Sequence, residues 1–375
     1  MKTSVLHVYR TYFPDPPGGL QEAIRQIALA TGAQGISNTI FTLSPQPDPP
    51  VLDRPEARIV RRRSWIAPAS CDLGGIAAFS EFANLARQSD VLHYLFPWPF
   101  ADILHATVRP NSPAVLTYIS DVVRQRFLGT AYAPLMWRTL RQMRVIVANS
   151  PAYARTSPIL SHPDVRNKVR IIPLGIEETS YPKDGDDAIF NRLGIEQDEP
   201  FFLFIGVLRY YKGVRFLVQA AKNLRAKVVI AGTGPEGASL QSFATEIGAN
   251  NVIFPGQVSN AEKVALLKRC RALVLPSHLR SEAYGMVLVE AAMFGRPMIS
   301  CEIGTGTSYV NAHEETGLVV LPESSQELRQ AMSELLTDDN LATKMGNAAR
   351  ERYERLFSGP ALGQSYAALF REIAE

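Results

Sequence analysis

Two glutamates eight positions apart, Glu282 and Glu290, bracket a glycine-opened turn in PSHLRSEAYGMVLVEAAMFGRPMISC, residues 276–301. The apolar runs predict a strand over 272–276, a short loop, a helix over 286–294 stopped at Gly295, and a strand over 297–301. Gly285 and Met286 open that helix, so its free N–H groups and the positive end of its dipole face the loop. An anion suits that place, with one carboxylate at the helix mouth and another beside the first turn. A nucleotide sugar has the matching layout of hydroxylated sugar, diphosphate and hydroxylated ribose. An ordinary βα unit with two solvated glutamates has the same spacing, and the stretch alone leaves both readings open.

Other loops carry possible partners. GVLRYYKG (206–213) follows an apolar strand and brings Arg209 and Lys212 to its end. A departing diphosphate gains charge as its bond to the sugar breaks, so fixed cations there act most strongly in the transition state. Gly18 and Gly19 lie between the first strand and first helix, where paired glycines let a ligand approach the backbone. GTGPEG (232–237) fits the GxGxxG pattern of nicotinamide cofactor binding. The acid expected about 20 residues later, to hold a ribose, is absent from FPGQ (254–257), and the loop follows the second strand of its half instead of the first. DGDD (184–187) contains DxD but sits among Lys183 and other acids, as a solvated charge run does. RRR (61–63) followed by Trp65 is a basic run of a different kind, and the basic amphipathic helix 132–144 suits either core packing or an anionic membrane. No nucleic-acid-binding motif accompanies them.

The elements that must position these loops alternate. Strands are predicted over 5–10, 38–43, 58–62, 91–94, 114–118 and 144–148, with helices over 20–31, 76–87 and 132–142. The pattern restarts with strands over 201–206, 227–232 and 252–254 and helices over 215–223, 236–246 and 262–270, and it ends in helices over 325–337, 341–357 and 362–374. Such alternation argues for α/β architecture with doubly wound parallel sheets. The 375 residues suit about two domains. A Pro-, Gly- and acid-rich stretch divides them into 1–175, a linker over 176–199, 200–357, and a terminal segment over 358–375. Residues 1–172 carry a net charge of +8 and the remainder −5, so a basic first half faces an anionic partner or membrane. Cys71, Cys270 and Cys301 are odd in number and widely spaced, as reduced cytoplasmic thiols are. No apolar run approaches the roughly 18–20 residues of a membrane span.

The combination of GG after the first strand, RYYKG, GTGP, PSHLRSEAYGMVLVE, GRPMIS and CEIGTGTSYVN resembles glycosyltransferase family 4. TYISD (117–121), ANSPAY (148–153) and IIPLGI (171–176) extend the likeness nearly end to end. Within the family the chain is most similar to bacterial O-antigen mannosyl- and rhamnosyltransferases. The resemblance implies a GT-B fold, two Rossmann-like domains facing a cleft, with the last helix crossing back to the first. It implies anomer-retaining hexosyl transfer without a metal or other cofactor. The donor would be a nucleotide sugar, GDP-mannose or GDP-rhamnose, and the acceptor a polyprenyl-diphosphate-linked glycan. The enzyme would be cytoplasmic, at the inner face of the membrane. By the same resemblance Glu282 lies near the donor sugar, Glu290 on the ribose, and Arg209 and Lys212 on the diphosphate. Gly18, Gly19, Tyr284, Gly285, Met286 and Val287 line the donor, Val258 walls the base, and Asp121 lies on the acceptor side.

Three positions depart from the family. Ile119 stands where many relatives have histidine, Leu95 where they often have another, and Gln21 replaces a residue of GGIE. All three lie in the first domain. Because the leaving phosphate is thought to take the acceptor's proton in such transfer, no side-chain base is required. A non-catalytic family member that binds donor is the second reading, and a nicotinamide-dependent oxidoreductase the third.

Overall fold

The computed structural model describes residues 2–15, 19–67, 72–120 and 126–375, the side chains of 126–131 apart. Gly18, Asp121 and Cys71 lie outside the described residues. The chain forms two compact units, Met1–Glu177 with Gly359–Glu375, and Glu178–Ser358.

The first unit contains β1 (Ser4–Val8), β2 (Ser37–Ser44), β3 (Val51–Asp53), β4 (Arg58–Ile66), β5 (Leu73–Gly74), β6 (Val91–Phe96), β7 (Ala114–Tyr118), β8 (Val145–Ala148) and β9 (Val169–Ile171). Their order is β3-β4-β2-β1-β6-β7-β8-β9, with β5 paired to β4. Strands β3 and β5 run antiparallel to β4, and every other pairing is parallel. Near-continuous burial along β6, β7 and β8 is what a parallel sheet covered on both faces demands. The short strands β3, β5 and β9 and the helix Pro99–Val108 escape the sequence reading. Two or three residues are too few to show a period, and Pro99 at the start of its helix reads as a turn.

The final helix, Gly359–Ala374, packs on Gly19–Ala33 within this unit. Added to Gly363, a Cβ would sit 2.4 Å from the carbonyl oxygen of Ala30, so the two backbones meet closely there. A buried polar chain runs through the same layer. His7 Nε2 lies 3.0 Å from Asn38 Oδ1, His7 Nδ1 2.8 Å from His93 Nδ1, His93 Nε2 2.7 Å from Thr117 Oγ1, and Thr117 Oγ1 2.9 Å from the Tyr366 hydroxyl.

The second unit has six parallel strands, β10 (Phe201–Ile205), β11 (Lys227–Ala231), β12 (Val252–Gly256), β13 (Ala272–Leu275), β14 (Met298–Cys301) and β15 (Gly317–Val320), in the order β12-β11-β10-β13-β14-β15. The order of connection reverses between β10 and β13, and the loops leaving those neighbours at their carboxyl ends lie against each other. Ligands of open α/β sheets bind at such a point. Within 176–199, read above as the linker, residues Ala188–Leu193 form a helix that buries Ile189 and Phe190. The Asp186 N–H donates to the Ala261 carbonyl at 3.0 Å, and Gly185 lies against the Ala265 backbone. DGDD is thereby held against the second unit by its main chain.

Candidate active site

The loop after β10 starts at Gly206 and ends in a 3₁₀ turn, Tyr210–Lys212, closed by Gly213 at φ +63°. Sequence dictates that ending: a Cβ at Gly213 would sit 2.2 Å from the Pro276 carbonyl oxygen. Only glycine combines the left-handed backbone with so close an approach. RYYKG is thus pressed onto the loop that follows β13. The His278 N–H donates to the Tyr211 carbonyl at 3.1 Å, and the His278 ring bridges the Tyr210 carbonyl at 3.0 Å and Glu323 at 2.7 Å.

This contact brings Lys212 to Glu282. Their side chains form an ion pair and hydrogen bond, both largely out of water. Burial alone would lower the Lys212 pKa, but the neighbouring Glu282 outweighs it and the ammonium is held above its ordinary range. Ser277 donates its hydroxyl to the same Glu282 oxygen at 3.1 Å, and Thr305 donates to the Glu282 main-chain carbonyl at 2.8 Å. Arg209 is exposed, and among the described residues it makes no ion pair. Its charge nonetheless opposes protonation of Lys212, so the two cations are close enough to repel. An anion placed between them relieves that repulsion.

Gly285, at φ +83°, starts the helix Met286–Met293, whose first-turn N–H groups, those of Met286 and Val287 included, have no intrahelical acceptor. Both side chains are half-buried, while Tyr284 is buried beneath Gly306. Glu290 lies on the same helix. It accepts from the Tyr181 hydroxyl at 2.6 Å and from Lys263 Nζ at 3.0 Å, both at Oε1. Lys263 also stands over the Tyr181 ring, 4.7 Å from its centroid. Val258 is half-buried in the loop between β12 and the helix Asn260–Arg269.

GTGPEG is explained by packing. Cβ atoms at Gly232 and Gly234 would sit 2.0 Å from the Gly206 carbonyl oxygen and 2.5 Å from that of Leu208. These glycines let the loop after β11 lie against the loop carrying Arg209. At Gly19, in the first unit, a Cβ would meet nothing within 4 Å among the described residues, so none of these requires that glycine.

Within the second unit the expected residues Arg209, Lys212, Glu282, Tyr284, Gly285 and Val258 occupy loops at one edge of one sheet, and Met286, Val287 and Glu290 lie on the helix that Gly285 opens there. Sequence reasoning missed Ser277, Thr305, Tyr181 and Lys263, which hold the two carboxylates. Ser277 was legible, five positions before Glu282; Tyr181 lay in the expected linker, and Lys263 is 27 positions from its partner. A cavity of ≈970 Å³ at the opposite, amino edge is lined by Lys268, Arg269, Arg271, Arg296 and Arg350. Those cations donate to main-chain carbonyls, among them Lys183, Gln197, Leu335, Lys268 and Met293, as cations near helix C-termini do.

Two Rossmann-like units, one carrying cations and carboxylates at its switch point, define the GT-B glycosyltransferase class. Residues 17–180 match the profile described as Glycosyltransferase Family 4, and 185–352 that of Glycosyl transferases group 1. The chain is 44% identical to the D-rhamnosyltransferase WbpZ of Pseudomonas aeruginosa over 94% of its own length and 92% of that protein. It is 38% identical to the O-antigen chain mannosyltransferase C of Escherichia coli, over 99% of each chain. A sucrose-phosphate synthase from Thermosynechococcus elongatus superposes with a TM-score of 0.79 at 21% identity, covering 99% of both chains. The chain belongs to this glycosyltransferase family.

Proposed function

We propose that the chain is a retaining, metal-independent hexosyltransferase of O-antigen or surface polysaccharide synthesis. It moves mannose or a 6-deoxyhexose such as rhamnose from a GDP-sugar to a lipid-linked glycan at the inner face of the cytoplasmic membrane. The observation that carries this reading is the close placement of Arg209, Lys212 and Glu282 beside the helix opened at Gly285. The names of the two relatives, a D-rhamnosyltransferase and an O-antigen mannosyltransferase, support the sugar and the polymer.

In this reading the diphosphate lies between Arg209, Lys212 and the N–H groups of Met286 and Val287. Glu282 accepts from hydroxyls of the donor sugar and Glu290 from those of the ribose. The bond from the anomeric carbon to the phosphate oxygen breaks, an acceptor hydroxyl oxygen bonds that carbon on the same face, and the released diphosphate takes the hydroxyl proton. The cations stabilise the charge that develops on the leaving oxygen, where one preorganised donor contributes about 3–4 kcal/mol.

Thermal shift with GDP-, UDP-, ADP- and CDP-sugars, each with and without EDTA, tests the donor, since a ligand that binds the folded state raises its melting point. Stabilisation by a GDP-sugar that EDTA leaves intact is expected. Stabilisation by NAD(H) and by no sugar nucleotide would overturn the reading. Product anomer determined by NMR tests retention.

A further inference from the structure

The hairpin of β4 and β5 ends in a surface that the transfer site does not use. The last β2–β4 partners are Ser44 and Arg63, so Ser64, Trp65 and Ile66 run past the end of β2 by about 10 Å. Among the described residues Ser64 and Ile66 stay paired only to β5, with Gly74 and Leu73, and the register shifts at Trp65 between them. Trp65 is 70% exposed, Ile66 61% and Ile76, at the start of the next helix, 84%; they are the most exposed large apolar residues described in the first unit. Trp65 adjoins Ile76, because its ring lies over Gly75, where a Cβ would meet it at 2.2 Å, and Ile66 follows Trp65 in the strand. Scattered exposed apolar residues need no explanation, but a contiguous group does.

The described part of the hairpin is tied to its own unit. Buried Asp72 accepts from the Ser64 hydroxyl at 3.1 Å, its carbonyl accepts from the Trp98 indole N–H at 3.0 Å, and Arg10 pairs with its carboxylate at 3.8 Å. Among the described residues Arg63 is exposed and without an ion pair, and residues 1–172 carry a net +8. Tryptophan and isoleucine on a strand end, beside an arginine that makes no ion pair among the described residues of a basic unit, match the interface of an anionic bilayer. There the apolar groups enter the acyl boundary while arginine meets headgroup phosphate.

We infer that Trp65, Ile66 and Ile76 form the surface by which this protein docks on an anionic phospholipid membrane. The inference takes its purpose from the lipid-linked acceptor proposed above, but the contact itself needs neither donor nor acceptor. The full chain, without either, is mixed with vesicles of phosphatidylcholine alone or with one part in three phosphatidylglycerol, using acyl chains brominated near the headgroup. Quenching of tryptophan fluorescence by the anionic vesicles is expected. It is lost in Trp65→Phe, although Trp98 and Trp137 remain. Joint replacement of Trp65, Ile66 and Ile76 by serine should weaken vesicle cosedimentation about tenfold or more. Its melting temperature and its transfer to a water-soluble short-chain acceptor should match the parent. Absence of quenching in the parent, or unchanged cosedimentation of the triple variant, overturns the inference. So does a raised KM for the soluble acceptor, which makes the tip a glycan platform, or a shift from dimer to monomer on gel filtration, which makes it a protein interface. If the transfer reading failed instead, vesicle binding would stand unchanged.

Discussion

The order of connection reverses once in each sheet, and the loops at the two switch points spend charge differently. In the second unit the loop after β10 ends in Arg209 and Lys212, with Arg209 unpaired and the Lys212–Glu282 pair beside it. In the first unit the reversal lies between β1 and β6. There Arg10 is paired with Asp72, Tyr12 donates to Glu56 at 2.8 Å, and Tyr9 meets Trp98 edge to face at 6.4 Å. Among the described residues, the second unit's switch point keeps Arg209 without an ion pair, whereas the first unit's pairs Arg10 with Asp72. Shared topology therefore places both sites without fixing their chemistry, which side chains decide.

The contrast is broken most directly at Lys212. Lys212→Ala removes the cation proposed to meet the leaving diphosphate and strands Glu282, and kcat should fall about 10²–10³-fold. Arg62→Ala, which breaks the Arg62–Glu81 pair of the first unit, should change it little. Turnover like the parent's in steady-state assays of Lys212→Ala would falsify the phosphate role. Arg209→Ala should cost about 10²-fold, somewhat less because the guanidinium is solvated.

Acid stability sharpens the comparison from the side of the first unit. Burial lowers the His7 pKa from 6.5 to about 4, and the His93 pKa well below 6.5. Below pH 6.5 the unfolded chain binds more protons than the folded one. Stability is therefore complete above 6.5 and is lost as pH falls toward 4, by about 3 kcal/mol for His7 alone. Asp102 works in the opposite direction. Burial raises its carboxyl from 3.8 to about 7, against the hydrogen bond from Tyr132, so the folded state binds more protons between those values and gains stability as pH falls. Asp102→Asn should therefore steepen the acid loss and His7→Asn should flatten it. Denaturant midpoints of each variant at pH 7 and pH 4.5 decide the point; a parallel response of both to pH would rule it out.

A smaller effect is expected where carboxylates are positioned. Lys263→Met leaves Glu290 held by Tyr181 alone and should raise the donor KM about tenfold with kcat nearly unchanged. With a 2′,3′-dideoxyribose donor that penalty should vanish, since only a ribose hydroxyl reads the carboxylate. A KM increase indifferent to the hydroxyls would assign Lys263 to structure alone. Least is expected from Ile119→His in the first unit. Ile119 is buried, as are Leu95 and Gln21, and Gln21 donates to Thr11 at 2.7 Å. A change within a few-fold of the parent rate fits an active enzyme that does not need the histidine. Inactivity of the parent chain, cured by this substitution, would favour the accessory reading.

Much of this layout was legible in the chain. Apolar runs of four to six residues between amphipathic stretches gave the βα alternation, because a strand buried on both faces admits little else. Gly285 before MVLVE marked a helix mouth, and Glu282 and Glu290 marked its acids. What stayed hidden was pairing across distance. Nothing in residues 178–199 announced that Tyr181 would reach Glu290, 109 positions away, or that Ile189 and Phe190 would bury a helix in an acidic stretch. GxGxxG, set aside above for want of the distal acid, shows a related limit: a glycine required by a neighbouring loop has the same letter as one required by a ligand.

By itself, then, the sequence determined local conformation and the stock of reactive groups, since both follow from residue type and period along the chain. Tertiary structure alone decided which groups meet. It set β10 beside β13, brought the Pro276 carbonyl against Gly213, and so joined Lys212 to Glu282 across 70 residues. Charge in water is nearly indifferent to such neighbours. Removed from water beside one another, the same two side chains become a site.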